Sequence, residues 1–471
     1  MKAAFFSLLL ALPAFAADAP RPNIVFILAD DLGRADCGFM GGTDIKTPHL
    51  DKLAKGGAIL DQFYVQPVCS PTRAALLTGR YPMRHGLQTF VVRPWAQYGL
   101  PLEERTLPQA LKEVGYETAI VGKWHLGTFE RAYLPTQRGF DHQYGHYNGA
   151  IDYFTHVRDG GFDWHKDDKE NRDEGYSTHL VAKESARLIR ERDAKKPFFL
   201  YVPFNAVHGP LQVPDEYLKA YPNLSGNRQK YAGMLTAMDE AVGQIVAAVD
   251  EAGMRKNTLF IFSSDNGGPN PGQTTDNGPL RAGKATLYEG GTRVVAFAAW
   301  DGVIKAGSKV DAALHIVDWY PTLVKLAGGS LEQKLPLDGR DAWPAITEAA
   351  ATPHDFILVN TTPYNGAIRM GDWKLVLGGN IAESEDGGGD PAKAKKKGKK
   401  EKRNAGNKAD NVELFNLAND PNEKTNLAEK NPEKVAELRA KLSELAAQAA
   451  PPKSAPMPKD FKTPRVWGQA D

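Results

Sequence analysis

The chain has 471 residues, 42% hydrophobic and 24% charged, with a formal net charge of +1. That composition is globular, and the length allows one large core plus a smaller domain. The near-zero balance gives no reason by itself to expect a nucleic-acid or other polyanionic partner.

At the N-terminus, MKAAFFSLLLALPAFA reads as a secretory signal over residues 1–16. Lys2 supplies the charge, Ala3 to Leu12 the apolar stretch, and Ala14-Phe15-Ala16 a small-x-small cleavage site. The apolar run is too short to span a bilayer, so no membrane insertion is expected, and no cysteine follows to carry a lipid. The mature protein is expected to begin near Ala17 and to be exported to the periplasm or beyond. Export permits disulfides, yet Cys37 and Cys69 are the only cysteines. A single Cys37–Cys69 bridge is the default; a free Cys37 beside a chemically special Cys69 ranks above it on the grounds given below.

Pro22 to Asp31 (PNIVFILADD) is a continuous apolar run ending in two acids, the pattern of a buried central strand with function at its C-terminal end. Thr47 to Gly56 reads as a helix with Pro48 in its first turn. Cys69-Ser70-Pro71-Thr72-Arg73 opens another, with Ser70 as N-cap, Pro71 at the first position and Gly79 as the stop. Next come a helix at Leu107 to Gly115, a strand at Thr118 to Val121, a helix at Ser177 to Glu191 and a strand at Pro197 to Pro203. A helix near Tyr231 to Glu251 and strands at Thr258 to Ser263 and Arg293 to Trp300 complete the alternation. Helices alternating with buried strands predict an α/β layer architecture around one large sheet, with ligands beyond the carboxyl ends of the strands.

Beyond about Ala345 the texture changes to short strands at Phe356 to Asn360, Ala367 to Arg369, Trp373 to Leu377 and Glu413 to Asn416, then a helix at Asn431 to Ala449. The expected division is a catalytic domain over 17–345 and a small antiparallel sheet-plus-helix domain over 346–471. Within the latter, residues 378–411 are low in apolar side chains and are expected to form a flexible insertion. Its run KAKKKGKKEKR (393–403) holds eight basic residues and one Glu; a solvated loop is the favoured reading, and salt-dependent holding of a sulfated polysaccharide the sharper one.

Several residue groups carry chemistry. Asp30 and Asp31 end a buried strand, where adjacent acids repel unless a cation neutralises them. Asp265 and Asn266 end another, followed by Gly267 and Gly268. Three carboxylates and an amide oxygen form an all-oxygen set that suits calcium rather than zinc, and no histidine adjoins either cluster in the chain. Cys69 stands at a helix start, where free N–H groups favour an anion, and Arg73 in the first turn leans back toward it. Such a cysteine is either a buried structural thiol or a thiolate of lowered pKa. In GKWHLG, period-two alternation puts Lys123 and His125 on one face and Trp124 on the other; His208 and Lys284 follow two further strands.

Cys-x-Pro-x-Arg followed by an apolar segment and Thr-Gly-Arg (CSPTRAALLTGR) resembles the signature of type I sulfatases. GKWHLG, LPTQRGFD, YAGMLTAMDEAVG, FIFSSDNGG, GPLRAGKATLYEGGTR and AIRMGDWKL extend the resemblance over nearly the whole mature chain, and it is closest to the arylsulfatase B, or N-acetylgalactosamine-4-sulfatase, group. It implies an alkaline-phosphatase-like fold, a large central mixed sheet flanked by helices with a smaller C-terminal α+β domain. It also implies that Cys69 is oxidised by a formylglycine-generating enzyme, its hydrated aldehyde serving as nucleophile. One Ca2+ would be held by Asp30, Asp31, Asp265, Asn266 and the modified Cys69. Asp265 would be the base, Arg73 would orient the diol, and Lys123, Lys284 and His208 would grip the sulfate, with His208 or Lys284 protonating the leaving alcohol. His125 would take the proton that releases sulfate. The implied substrate is a sulfated carbohydrate, such as 4-sulfated N-acetylgalactosamine of glycosaminoglycans or another sulfated polysaccharide. Separately, His142, Asp152 and Tyr153 lie in a segment, GFDHQYGHYNGAIDYF, that either lines the pocket or is ordinary loop packing. Rival readings are a phosphonate or phosphate-diester hydrolase of the same superfamily, and an inactive carbohydrate-binding homologue should Cys69 stay unconverted.

Overall fold

The computed structural model describes residues 21–361, 366–379 and 411–469. The expected signal at 1–16, and the basic insertion apart from residues 378, 379 and 411, lie outside them.

The central strand is β1 (Asn23–Ala29), every residue of which is buried. Its alternation divides the core. Ile24, Phe26 and Leu28 join a cluster with Ala74 to Leu77, Leu107, Leu111 and Leu323, whereas Val25, Ile27 and Ala29 join another with Leu50, Leu53, Val181, Tyr231 and Leu235. A strand apolar on both faces must lie between two helical layers, and each such side chain contributes roughly 1.5–3 kcal/mol by burial.

The other strands of this sheet, in chain order, are β2 (Ala58–Leu60), β3 (Glu117–Val121), β4 (His142–Gly145), β5 (His165–Lys166), β6 (Lys169–Glu170), β7 (Phe198–Pro203), β8 (Thr258–Ser264), β9 (Ala296–Ala299) and β10 (Ser308–Val310). They run in the order β10-β2-β9-β8-β1-β7-β3-β4-β5-β6, ten strands in all. The inner members β8, β1, β7, β3 and β4 are parallel; β9 and β5 pair antiparallel, which makes the sheet mixed. The helices α1 (Pro48–Lys55), α2 (Cys69–Thr78), α3 (Leu107–Glu113), α4 (Ser177–Glu191), α5 (Gly226–Glu251) and α6 (Trp319–Leu326) supply the two layers. Helix α5 is the one helix among the described residues long and apolar enough to cross a membrane, but 67% of its apolar window is buried here.

A second sheet runs in the order β11 (Ile357–Thr361), β12 (Gly366–Met370), β13 (Trp373–Leu377), β14 (Val412–Asn416), all antiparallel. Helix α7 (Pro432–Ala446) covers one face, placing Leu438, Leu442 and Leu445 with Ile368, Leu375 and Leu414. The other face supplies Val359, Ala367, Val376 and Phe415 to a cluster that also contains Cys69 and Tyr288. A large mixed sheet between helices with a small antiparallel sheet behind it is the expected fold class.

Local differences have local causes. Helix α2 begins at Cys69, with Val68 in extended conformation as its N-cap, so Ser70 is not the cap and Pro71 is not first. Gly79 does end it, in the left-handed conformation (φ 66°). The strand expected at Arg293 to Trp300 is confined to β9, because ahead of it Val294 N bonds the Phe63 carbonyl and Arg293 bridges Tyr64, both outside the large sheet. Helix α5 starts five residues before Tyr231, in a polar turn with no apolar periodicity to mark it.

Candidate active site

The carboxyl ends of β1, β7, β3 and β8 meet at one point. Alternation would send Asp30 and Asp31 to opposite faces, but Asp31 turns into the left-handed region (φ 64°), which short polar residues tolerate. Both carboxylates therefore converge: ligand atoms of Asp30, Asp31, Cys69 and His208 lie within 4.8 Å of one another, all buried. The expectation that no histidine adjoins the acids holds along the chain and fails in space, since His208 Nε2 lies 3.6 Å from Asp31 Oδ2.

Each acid has a cation. Lys123 Nζ donates to Asp30 Oδ2 at 2.5 Å, and Lys284 Nζ lies 2.8 Å from Asp31 Oδ1. Arg73 donates through Nη2 to Asp265 Oδ2 at 2.8 Å and through Nη1 to the Lys123 carbonyl at 3.2 Å. Cys69 Sγ donates to Asp30 Oδ1 at 3.4 Å and sits 3.7 Å from Lys284 Nζ. Arg73, Lys123 and Asp265 are wholly buried, so these are low-dielectric interactions.

The balance of charge sets the protonation. Burial alone would raise the Asp30 carboxyl, but Lys123 foremost, with His208, Arg73 and Lys284, holds it well below the usual carboxylate range. Burial, then the charge of Asp30, pushes Asp265 up to about 6 against Arg73. Burial, then Asp265 and Asp30, pushes the Cys69 thiol well up. The helix start would favour a thiolate, but desolvation beside two acids wins, which removes the reading of Cys69 as a thiolate of lowered pKa. Burial, then Lys123, holds the His125 imidazole well below its usual value; burial and Lys284 also lower His208. For Lys284, burial would lower the ammonium, and Asp31, Cys69 and Asp30 outweigh it and hold it well up.

Lys123 and His125 do reach the same site with Trp124 facing the apolar core, though by a turn rather than strand alternation. Gly122 has φ 136° and His125 φ 61°, and Lys123 N bonds the Pro203 carbonyl at 2.7 Å. His125 Nε2 pairs with the Val92 carbonyl at 3.2 Å, and its Nδ1 has no partner among the described residues. Asn266 donates Nδ2 to Asp31 Oδ1 at 2.7 Å, leaving its buried Oδ1 without a partner.

Of the three candidate pocket residues, His142 is misplaced. It pairs with Asp167 and Glu184, each at 2.9 Å, on β4, where it ties that strand to α4. Asp152 caps its own loop through Phe154 N and Thr155 N and accepts from Gln212. Tyr153 is a support: its hydroxyl donates to the carbonyls of Asn205 (2.6 Å) and His208 (2.8 Å). The two cysteines are free and buried.

Some supporting residues had no sequence signal. Ser70 donates to the His125 carbonyl at 2.8 Å and accepts from Val92 N at 2.9 Å, tying α2 to the His125 turn. The loop carrying Lys284 is clamped from the small domain. Arg281 stacks on Tyr288 (3.7 Å) and pairs with Glu413 (3.0 Å); Lys374 bridges Glu289 (2.8 Å) and Glu423 (2.9 Å); and Glu289 N bonds Glu423. The ion pairs and the backbone bond among them join residues from 49 to 134 positions apart, so no local pattern announces them.

Cations gathered around a buried cluster of acids and a helix-start cysteine, beyond the carboxyl ends of an α/β sheet, define an enzyme built for an anionic ester. The chain belongs to the sulfatase family: the sulfatase pattern matches residues 22–330 and that of the C-terminal region of aryl-sulfatase matches residues 352–466. Mouse arylsulfatase J is 38% identical over 489 aligned positions, covering 96% of this chain and 81% of that one. Mouse N-acetylgalactosamine-6-sulfatase is 36% identical, covering 71% of this chain and 68% of its own. The solved structure of Ps i-CgsB in complex with k-i-k-neocarrahexaose superposes with a TM-score of 0.80 at 32% identity, covering 92% of this chain and 94% of the other. The protein is a sulfuric ester hydrolase, and the expectation of sulfatase membership holds at the level of the family.

Proposed function

We propose that the protein is an exported, formylglycine-dependent sulfatase that removes sulfate from sulfated carbohydrates. The observation that carries the reading is the placement of Cys69 against Asp30 and Lys284, at 3.4 and 3.7 Å, with Lys123, Arg73 and His208 in the same buried cluster. A thiol held protonated there is a poor nucleophile; an oxidised, hydrated Cys69 supplies hydroxyl oxygens in its place.

The donor set suits a hard cation. Asp30, Asp31, Asp265, Asn266 and modified Cys69 would hold calcium, which supplies Lewis acidity toward a sulfate oxygen. The orphaned Asn266 Oδ1 supports the assignment: half a turn of its amide presents that oxygen to the acids, an arrangement favourable only with a cation between them.

The chain's own residues then divide the work. Arg73, fixed by Asp265 and the Lys123 carbonyl, orients the nucleophile and offsets its charge. Lys123, Lys284 and His208 bind the sulfate oxygens, an electrostatic grip that strengthens as charge moves outward in the transition state. His208 Nδ1 donates to the Gly209 carbonyl at 2.6 Å, so the uncharged ring presents an unprotonated Nε2. The departing alcohol takes its proton from Lys284, held protonated by Asp31, or from His208 in its imidazolium form. Asp265 receives the nucleophile's proton. His125, uncharged and with Nδ1 unengaged, accepts the proton whose removal releases sulfate; such steps contribute on the order of 10²–10⁴-fold each.

The test is sulfate release by protein co-expressed with a formylglycine-generating enzyme. The panel is 4- and 6-sulfated N-acetylgalactosamine, sulfated galactans and fucans, and a matched phosphate diester. Release from at least one sulfated carbohydrate, faster than diester cleavage, is expected; preference for the diester would overturn the proposal in favour of the phosphonate-hydrolase reading. Converted protein inert on every ester would be a binding homologue.

A further inference from the structure

The end of the chain does not stop at the small domain. After α7 it runs back over the large domain as a strap. Ala450 N and Lys453 N bond the carbonyls of Met83 and Gly86 (2.8 and 2.7 Å), and the Ala455 carbonyl accepts from Trp95 Nε1 at 3.1 Å. The strap lands again at the hairpin around Phe162. There the Arg465 carbonyl accepts from Phe162 N and Trp467 N bonds the Phe162 carbonyl, both at 2.9 Å, with Trp467 Nε1 on the Arg158 carbonyl at 2.9 Å.

Both anchorages touch the frame of His125. At the first, Trp95 lies three residues from Val92, whose carbonyl holds His125 Nε2 and whose N–H holds Ser70. At the second, Gly468 lies against the ring of Tyr147, so closely that a Cβ there would be 2.7 Å from it, and the Tyr147 carbonyl accepts from His125 N at 2.9 Å. The strap therefore passes the His125 side of the active site from one wall to the other.

Its chemistry is one-sided. Over residues 450–469 the strap carries Lys453, Lys459, Lys462 and Arg465 against a single acid, Asp460. Lys459, Lys462 and Arg465 are exposed, and none of the four basic side chains makes an ion pair among the described residues. Arg93, stacked 5.8 Å from the Trp95 ring centroid, continues the row at its first anchorage. Lys453, Lys459, Lys462 and Arg465, unpaired among the described residues beside a site for anionic esters, raise the local concentration of a polyanion, and a partly exposed Trp95 offers a sugar ring an apolar face.

We propose that the strap is a docking track for a sulfated polysaccharide chain, holding sulfate groups on sugars beyond the one being cleaved, so that the preferred substrate is a polymer bearing several sulfates. The proposal rests on the sulfatase reading of the site. The test compares full-length wild type with a Lys453→Gln/Lys459→Gln/Lys462→Gln variant, both carrying converted Cys69. The readout is the ratio of kcat/KM on a long sulfated oligosaccharide to kcat/KM on a monosulfated aryl ester, across a salt series. The expected result is a ratio lower in the variant by roughly tenfold at low ionic strength, the two converging at high salt.

A ratio equal in both proteins at low salt overturns the strap and leaves the sulfatase reading standing. A loss that salt does not diminish also overturns it, because the lysines would then act through structure rather than charge. Binding of sulfated galactan, measured on unconverted protein, gives an answer free of turnover: weaker, salt-dependent binding by the variant is expected even if no ester is hydrolysed. Equal galactan affinities, or binding to anionic phospholipid vesicles without galactan binding, would reject the track.

Discussion

Replacing Lys374 by Met tests whether the small domain holds the Lys284 loop in place. The Lys374 ammonium is 2% exposed and sits between the wholly buried carboxylates of Glu289 and Glu423. Met keeps the volume of the side chain and removes only the charge and its hydrogen bonds. Two buried acids would then face each other with Arg293, 3.7 Å from Glu289, as the nearest remaining cation of the group. Breaking a buried ion pair by removing one partner costs about 3–5 kcal/mol, which for a protein of this size lowers Tm by on the order of 3–5 °C. Because Glu289 lies five residues after Lys284, kcat/KM on a small sulfate ester is expected to fall as well. A Glu423→Gln arm separates charge from packing. Burial, against Lys374, pushes folded Glu423 up to about 7 from an ordinary 4.5. Its contribution is therefore fully present below pH 4.5 and is lost as pH rises through about 7. Wild-type Tm is expected to decline over that window and the Gln variant to decline less. Thermal unfolding from pH 4 to 9, with kinetics at each pH where the protein is folded, reads both effects. A Lys374→Met protein with a Tm within about 1 °C of wild type and unchanged kcat/KM would refute the clamp.

Three further outcomes are expected. Gly122→Ala forces a Cβ to within 2.0 Å of the Pro203 carbonyl oxygen at a φ of 136°; displacing the neighbouring Lys123 by about 1 Å is expected to lower kcat roughly 10²-fold, and a near-normal kcat would mean the turn yields without moving it. His125→Ala is expected to give a single burst of released alcohol stoichiometric with enzyme and then stop, so steady-state turnover at the wild-type rate would reject its assignment. Chelation of divalent cations is expected to abolish activity, with calcium restoring it and zinc not; restoration by zinc alone would reject the hard-cation reading of the donor set.

Much of the site was legible because its parts lie at strand ends. PNIVFILADD and TLFIFSSDNGG each declare a buried strand that stops at polar ligands, and a parallel sheet necessarily brings such ends together. The residues that hold these ligands were not legible. Ser70 looked like a cap because local chemistry favours Ser there, whereas its hydroxyl ties α2 to the His125 turn, a contact between segments 55 residues apart. His142 looked like a pocket residue because it stands near Tyr153 in sequence, yet β4 carries it outward to α4. Lys123 and His125 were placed on one side for the wrong reason: two left-handed positions, not strand periodicity, aim them, and only Gly122 hints at this in the sequence. The same limit applies to the strap, whose proline-rich composition shows that it is not a helix but not where it lies.

The burial of Cys69 also sets a schedule. It belongs to a cluster with Val376, Phe415 and Leu417 of the small domain, so the pocket around it closes only after those residues have been made. At about 5–20 residues per second, the ribosome takes some tens of seconds to travel from Cys69 to Phe415. During that interval the helix that will carry the cysteine has no lid from the small domain, and under the proposed formylglycine reading an enzyme recognising its flanking sequence would have access that the finished fold denies. On that reading maturation and folding would compete for one residue, and the distance along the chain between the cysteine and its cover would give the modifying enzyme its time.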